Sequence, residues 1–125
     1  MVAGLLDSSV MIDVLRDYEP ARLWLAGQGQ LGVTRIVWLE LLEGAANRRA
    51  QQRALALLRR FEIVEMTTDD MQWAVEQMVR WGLSHRVDAF DCLIAAVCPR
   101  LALPLYTRNL RHFVPLIGDL AQTPY

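Results

Sequence analysis

The stretch that decides the fold is Leu5-Leu6-Asp7-Ser8-Ser9. Val2 to Leu6 is a short apolar run that reads as a buried strand. It stops on a carboxylate, and two hydroxyls then lead into the helix-like Val10-Met11-Ile12-Asp13-Val14-Leu15. Ser8 and Ser9 are N-cap candidates, because their side-chain oxygens can accept bonds from the unpaired N–H groups of a first helical turn. Asp7 therefore belongs at the carboxyl end of a strand, where open α/β sheets place their ligands.

Strand and helix signals alternate along the rest of the chain. Asp17-Tyr18-Glu19-Pro20 reads as a turn, with Pro20 opening a second helix that runs to about Gly27. Leu31 to Thr34 reads as a strand, with Thr34 as the cap of a helix from Arg35 to Asn47. A further helix follows from Arg49 to Arg60. Phe61 to Met66 alternates like a strand. Asp69 and Gln72 fit a capping box for a helix carrying Met71, Ala74, Val75 and Met78 on one face and ending at Gly82. Asp88 to Cys98 is helical and is predicted to stop before Pro99. Leu103 to Thr107 is the last clear strand, and Val114 to Gly118 is assigned as an added edge strand. Such alternation implies an α/β fold with a mostly parallel sheet covered on both faces.

The 125 residues make one domain with room for a core of its own. Apolar residues reach 54%, a surplus for so small a core, and part of it is expected in a subunit or partner interface. The net charge of −1 excludes recruitment of nucleic acid or an anionic membrane by a global basic field. All 13 basic residues are Arg, which rules out Schiff-base, P-loop lysine and lysine general-base chemistry but leaves phosphate binding open. Cys92 and Cys98 fall on different helix faces and read as buried apolar side chains in a reducing compartment. The apolar run at the N-terminus is cut short at Asp7, and no stretch has the length of a membrane span. These features predict a cytoplasmic protein.

Acids in apolar surroundings carry the chemistry. Glu40 lies among Val37, Trp38, Leu39, Leu41 and Leu42, and an ionised carboxylate buried there without a partner would cost several kcal/mol. In Asp88-Ala89-Phe90-Asp91-Cys92-Leu93-Ile94-Ala95, the two acids and Ala95 fall within an arc of roughly 60°, with Phe90, Leu93, Ile94 and Val97 opposite. Asp88 reads equally as an N-cap and as a ligand, and Asp91 as a site residue. Glu43 reads as supporting or solvated, and Asp13 as a surface acid. If Asp7, Glu40 and Asp91 converge, they stay ionised together only with a compensating cation. Oxygen donors select Mg²⁺ or Mn²⁺, an ion suited to phosphodiester hydrolysis through an activated water.

Four stretches resemble, in order, the motifs of PIN-domain ribonucleases, and most closely the VapC toxins of bacterial toxin–antitoxin pairs. They are Leu5-Leu6-Asp7-Ser8-Ser9, Glu40-Leu41-Leu42-Glu43-Gly44-Ala45, Asp91-Cys92-Leu93-Ile94-Ala95-Ala96 and Tyr106-Thr107-Arg108-Asn109-Leu110-Arg111-His112-Phe113. The resemblance runs from about Val2 to Phe113. It implies a three-layer α/β/α sandwich, a Mg²⁺- or Mn²⁺-dependent endoribonuclease, a homodimer, and inhibition by a cognate antitoxin. Asp7, Glu40 and Asp91 match the family's three acids, and Thr107 and Asn109 match the polar end of its last core strand. Many members have a further acid around Asn109 or His112. This chain has none, which bears against a second fully ligated metal and leaves Asp88 as a substitute.

Arg108 and Arg111 are placed to hold RNA phosphate, with Arg108 the preferred candidate. Arg49, Arg53, His85, Arg86 and His112 read first as surface, loop or structural residues. Trp24, Trp38, Trp73 and Trp81 read as core or interface. Two rival readings remain. One is another Mg²⁺-dependent phosphoryl-transfer domain; a dehalogenase-like hydrolase would want an Asp where Ser9 stands, and a receiver domain would want a lysine. The other is a non-catalytic protein-interaction module with structural acids.

Overall fold

Leu5–Leu6 forms the middle strand, β1, of a five-stranded sheet in the computed structural model, which describes residues 1–125. The other strands are β2 (Gly32–Val33), β3 (Glu62–Ile63), β4 (Leu105–Tyr106) and β5 (Ala121–Gln122). Their order is β3-β2-β1-β4-β5, and every neighbouring pair is parallel. Parallel strands need crossovers, supplied here by α1 (Ser8–Leu15), α2 (Glu19–Ala26), α3 (Arg35–Glu43), α4 (Arg48–Leu58), α5 (Thr68–Trp81), α6 (Ala89–Ala95), α7 (Val97–Leu101) and α8 (Leu110–Ile117). The predicted three-layer α/β/α sandwich is what forms. Leu5, Leu6, Val33 and Leu105 are buried in the sheet against Val10, Met11, Leu58, Ile94 and Phe113. Gly32 permits the close approach of β2 and β3, since a Cβ there would stand 2.7 Å from Val64 Cγ2.

The chain steps outward from β1 to β3 and then returns to lay β4 on the other side of β1. Strand order reverses between β1 and β4, and a crevice opens at the carboxyl ends of strands at such a point. Asp7 and Thr107 are the residues that follow these two strands, and the Asp7 N–H still donates to the Tyr106 carbonyl at 3.0 Å.

Several local readings change. Asp7, rather than Ser8 or Ser9, caps α1, its Oδ1 accepting from the Ser8 N–H at 2.8 Å. The helix starts two residues before the apolar run that opens at Val10, so neither serine hydroxyl is spent on capping it. Helix α3 ends at Glu43 with Gly44 as its cap, and Asn47 instead opens α4 by accepting from the Ala50 N–H at 2.9 Å. The hydroxyl of Thr34, at the N-cap of α3, makes no cap bond. The capping box of α5 is Thr67 with Asp70, not Asp69 with Gln72. Asp70 N–H donates to Thr67 Oγ1 at 3.1 Å and Thr67 N–H donates to Asp70 Oδ2 at 2.9 Å.

Pro99 does not stop the chain of helices. It falls in the first turn of α7, where its missing N–H would have had no intrahelical partner, and α7 runs on to Leu101. Phe90, one of the large apolar residues opposite the two acids, is 47% exposed. Val114 to Gly118 is not an edge strand. Its residues up to Ile117 belong to α8, which buries Phe113 and Leu116, and the edge is β5. Cys92 and Cys98 are buried as expected, and burial pushes their thiols up to about 11 and about 12.

Candidate active site

Asp7 is 2% exposed at the reversal point of the sheet. Ser9 Oγ and Thr107 Oγ1 both donate to its Oδ2 at 2.7 Å, while the Ser8 N–H holds Oδ1. Ser9 Oγ accepts in turn from the Arg108 N–H at 3.0 Å, and Thr107 Oγ1 accepts from the Asn109 N–H at 2.9 Å. The carboxylate is thus fixed by the ends of β1 and β4 together. Ser8 and Ser9 contribute to the site itself, since Ser8 Oγ donates to Glu40 Oε1 at 3.0 Å and so ties α3 to the same spot. Hydroxyls adjoining a strand-end acid were the signal for this role.

Glu40 and Asp91 converge on Asp7 electrostatically. Burial raises the pKa of half-buried Glu40; the Ser8 hydroxyl opposes the rise, and the charges of Asp7, Asp91 and Asp88 add to it. Asp91 is pushed up to about 6 by burial first, then by the charges of Asp88 and Asp7, with His112 opposing. Its Oδ2 is buried without a hydrogen bond. His112 Nδ1 lies 3.3 Å away, a contact without hydrogen-bond geometry. Glu40 and Asp91, made harder to ionise beside Asp7 and Asp88, belong to a donor set short of positive charge. An orphaned carboxylate oxygen among oxygen ligands fits a hard divalent cation. No group of three His, Cys, Asp or Glu side chains stands at coordinating distance around one point, so the acids share a field rather than a finished ligand shell.

The remaining candidates divide. Asp88 is the N-cap of α6, its Oδ1 accepting from the Asp91 N–H at 2.8 Å, and this cap orients the helix that carries Asp91. Asn109 is exposed and enters the network through its backbone N–H. Glu43 is exposed. Arg108 is already engaged. Its guanidinium lies 3.3 Å from Asp13, 4.6 Å from the Tyr125 ring centre and 5.6 Å from that of Tyr18, while Tyr125 Oη donates to Asp13 at 2.8 Å. Asp13 is therefore a partner of Arg108, not a free surface acid. Tyr18, which reads in the sequence as part of a turn, and Tyr125 carry no local signal for this role, because neither neighbours Arg108 along the chain. Arg53 donates to the Leu15 carbonyl at 2.9 Å. Arg111 has no carboxylate within 4.0 Å.

Residues 4–114 match the PIN domain family. No curated protein sequence matches. Among solved structures, the chain is similar to a toxin–antitoxin complex from Klebsiella pneumoniae, with a TM-score of 0.79, 26% identity, and 98% of each chain covered. It also resembles a DNA-bound VapBC from Salmonella typhimurium, with a TM-score of 0.74, 24% identity, and 94% of this chain and 95% of that one covered. FitAcB from Neisseria gonorrhoeae has a TM-score of 0.67 and 22% identity, with 93% of each chain covered. No helix is long and apolar enough to cross a membrane.

Proposed function

We propose that this chain, which belongs to the PIN-domain family, is a divalent-cation-dependent endoribonuclease and the toxin of a toxin–antitoxin pair. The observation that carries this reading is the bare, buried Oδ2 of Asp91, set in the common field of Asp7 and Glu40 at the sheet's reversal point. Asp7, Glu40 and Asp91 would hold Mg²⁺ or Mn²⁺, with Asp88 auxiliary. When bound, such an ion polarises a phosphoryl oxygen, lowers the pKa of water and offsets charge on the leaving oxygen.

The chain's own residues prepare that site. Thr107, Ser9 and the Ser8 N–H fix the Asp7 carboxylate, Ser8 places Glu40, and the Asp88 cap sets the direction of α6. Asn109 supports Thr107 through its N–H. Hydrolysis adds a water oxygen to phosphorus and breaks one P–O ester bond, so the products are one phosphate end and one hydroxyl end. The antitoxin partner is supported by the likeness to a toxin–antitoxin complex, and RNA as substrate by the motif resemblance. A homodimer is part of the same reading.

Asp7→Asn tests the proposal. A folded variant that has lost RNA cleavage by at least about 100-fold in Mn²⁺ supports it, whereas cleavage at the wild-type rate refutes it. Addition of Mn²⁺ should raise the melting temperature of the wild type by mass action, and by less in Glu40→Gln and Asp91→Asn. Equal shifts in all three would favour the rival reading, an interaction module with structural acids.

A further inference from the structure

A cavity beside the acidic site has the opposite chemistry. It measures about 290 Å³ and is lined by Ser84, His85, Arg86, Arg111 and His112, with no carboxylate and no apolar side chain. His112 links the two, since its Nδ1 lies 3.3 Å from Asp91. Neither Arg86 nor Arg111 has a carboxylate within 4.0 Å, so both guanidinium groups are open to an external anion. The Ser84 hydroxyl and His85 Nδ1 are hydrogen-bonded at 2.7 Å, and the His85 ring stands edge-on to Trp81 at 4.6 Å, which anchors this side of the pocket on the end of α5.

Arg86 adds a separate observation. Its φ of +52° lies in the left-handed region, which a side-chain-bearing residue occupies at a cost and which Gly or Asn would occupy more cheaply. A strained backbone that carries a bulky cation points to a demand on that side chain.

We propose that this pocket binds a backbone phosphate of the RNA flanking the one that faces Asp7, Glu40 and Asp91. The inference rests on the nuclease reading of the acidic site. Clustered carboxylates repel a polyanion, and a chain with a net charge of −1 offers no general attraction to offset this, so cations must stand beside the acids. Two guanidinium groups and a hydroxyl recognise a phosphate through directed donors. A mononucleotide would reach one site or the other, whereas a phosphodiester chain can occupy both.

The test measures binding without cleavage. A labelled single-stranded RNA oligomer is titrated in EDTA against the full chain, Arg86→Gly, Arg111→Gln and the double variant, at several salt concentrations. The double variant should bind about 10-fold more weakly, with a log K against log [salt] slope shallower by about 0.7, since the pocket holds one phosphate and each lost phosphate contact on a single strand accounts for about 0.7. Arg86→Gly relieves the strained φ and should lose affinity while keeping or raising its melting temperature. Unchanged affinity and slope in the double variant would overturn the proposal, whatever Asp7→Asn does to cleavage. So would a joint loss of affinity and melting temperature in Arg86→Gly, which would mark the residue as structural. Variants that bind RNA normally but no longer bind the antitoxin would also overturn it, by assigning the pocket to that protein.

Discussion

Asp91 costs the fold stability where it stands. Its carboxyl, raised to about 6 by burial and by Asp88 and Asp7, is easier to ionise in the unfolded chain than in the fold. The fold therefore bears no penalty below about pH 4, where both states are protonated, and loses stability as pH rises through about 6. At about 1.4 kcal/mol per pKa unit, the full penalty above pH 7 is roughly 2–3 kcal/mol in the absence of a cation. Asp91→Asn should thus be more stable than the wild type by about 2 kcal/mol in urea at pH 7.5 in EDTA, with the gap closing at pH 4. Mn²⁺ should narrow the gap at pH 7.5 by stabilising the wild type more. A variant less stable at pH 7.5 would show that Asp91 is structural. The burial of this acid was legible in the sequence, because it stands in an apolar helical run. The serines were half legible. Their position at a helix start is a local pattern, but the Ser8 bond to Glu40 spans 32 residues and no local pattern contains it.

Helix α5 is set at its first turn by a second buried carboxylate, which is fully partnered. Asp70, 3% exposed, closes the capping box with Thr67 and receives Arg100 Nε at 3.0 Å and Nη2 at 2.9 Å, while Nη2 also reaches the Glu65 carbonyl at 3.1 Å. Burial alone would raise the pKa of Asp70, but the Arg100 and Thr67 bonds outweigh it and hold the carboxyl below its usual value. Stability from this group is therefore present above the unfolded carboxylate range and is lost as pH falls through the lowered value. Arg100→Ala leaves Asp70 charged and short of its partner, which should cost about 2–4 kcal/mol in urea at pH 7. A loss under about 0.5 kcal/mol would show the pair to be an ordinary surface bridge. The box read from the sequence is Asp69 with Gln72, whereas the box that forms, Thr67 with Asp70, is held by Arg100, 30 residues further along the chain. Pro99 and the Val114–Gly118 stretch depart from expectation for a related reason. The rule applied to each is local, whereas the outcome was set by where a helix began and by what Phe113 and Leu116 could pack against.

At the scale of the whole molecule, the apolar surplus is accounted for only in part by the core. Met71, Val75, Val79 and Leu83 recur four residues apart on and just beyond α5, and they are 49%, 55%, 81% and 101% exposed. The helix periodicity was legible, but its burial was not, since a stripe facing a neighbouring subunit looks the same as one facing a core. Ala74 and Asp70 turn α5 inward, so the row is a second apolar face of one helix. A self-complementary helix face is suited to a twofold pair, in which each copy covers the other's row. The homodimer of the proposed reading is expected to use this face. Light scattering should give twice the 14.2 kDa chain mass for the wild type. Val79→Glu, which places a charge on the row in both copies, should give a monomer with an unchanged helical spectrum, because Val79 contributes little to its own fold. A monodisperse wild-type monomer at high concentration would overturn the dimer, and a dimer that survives Val79→Glu would move the interface off α5.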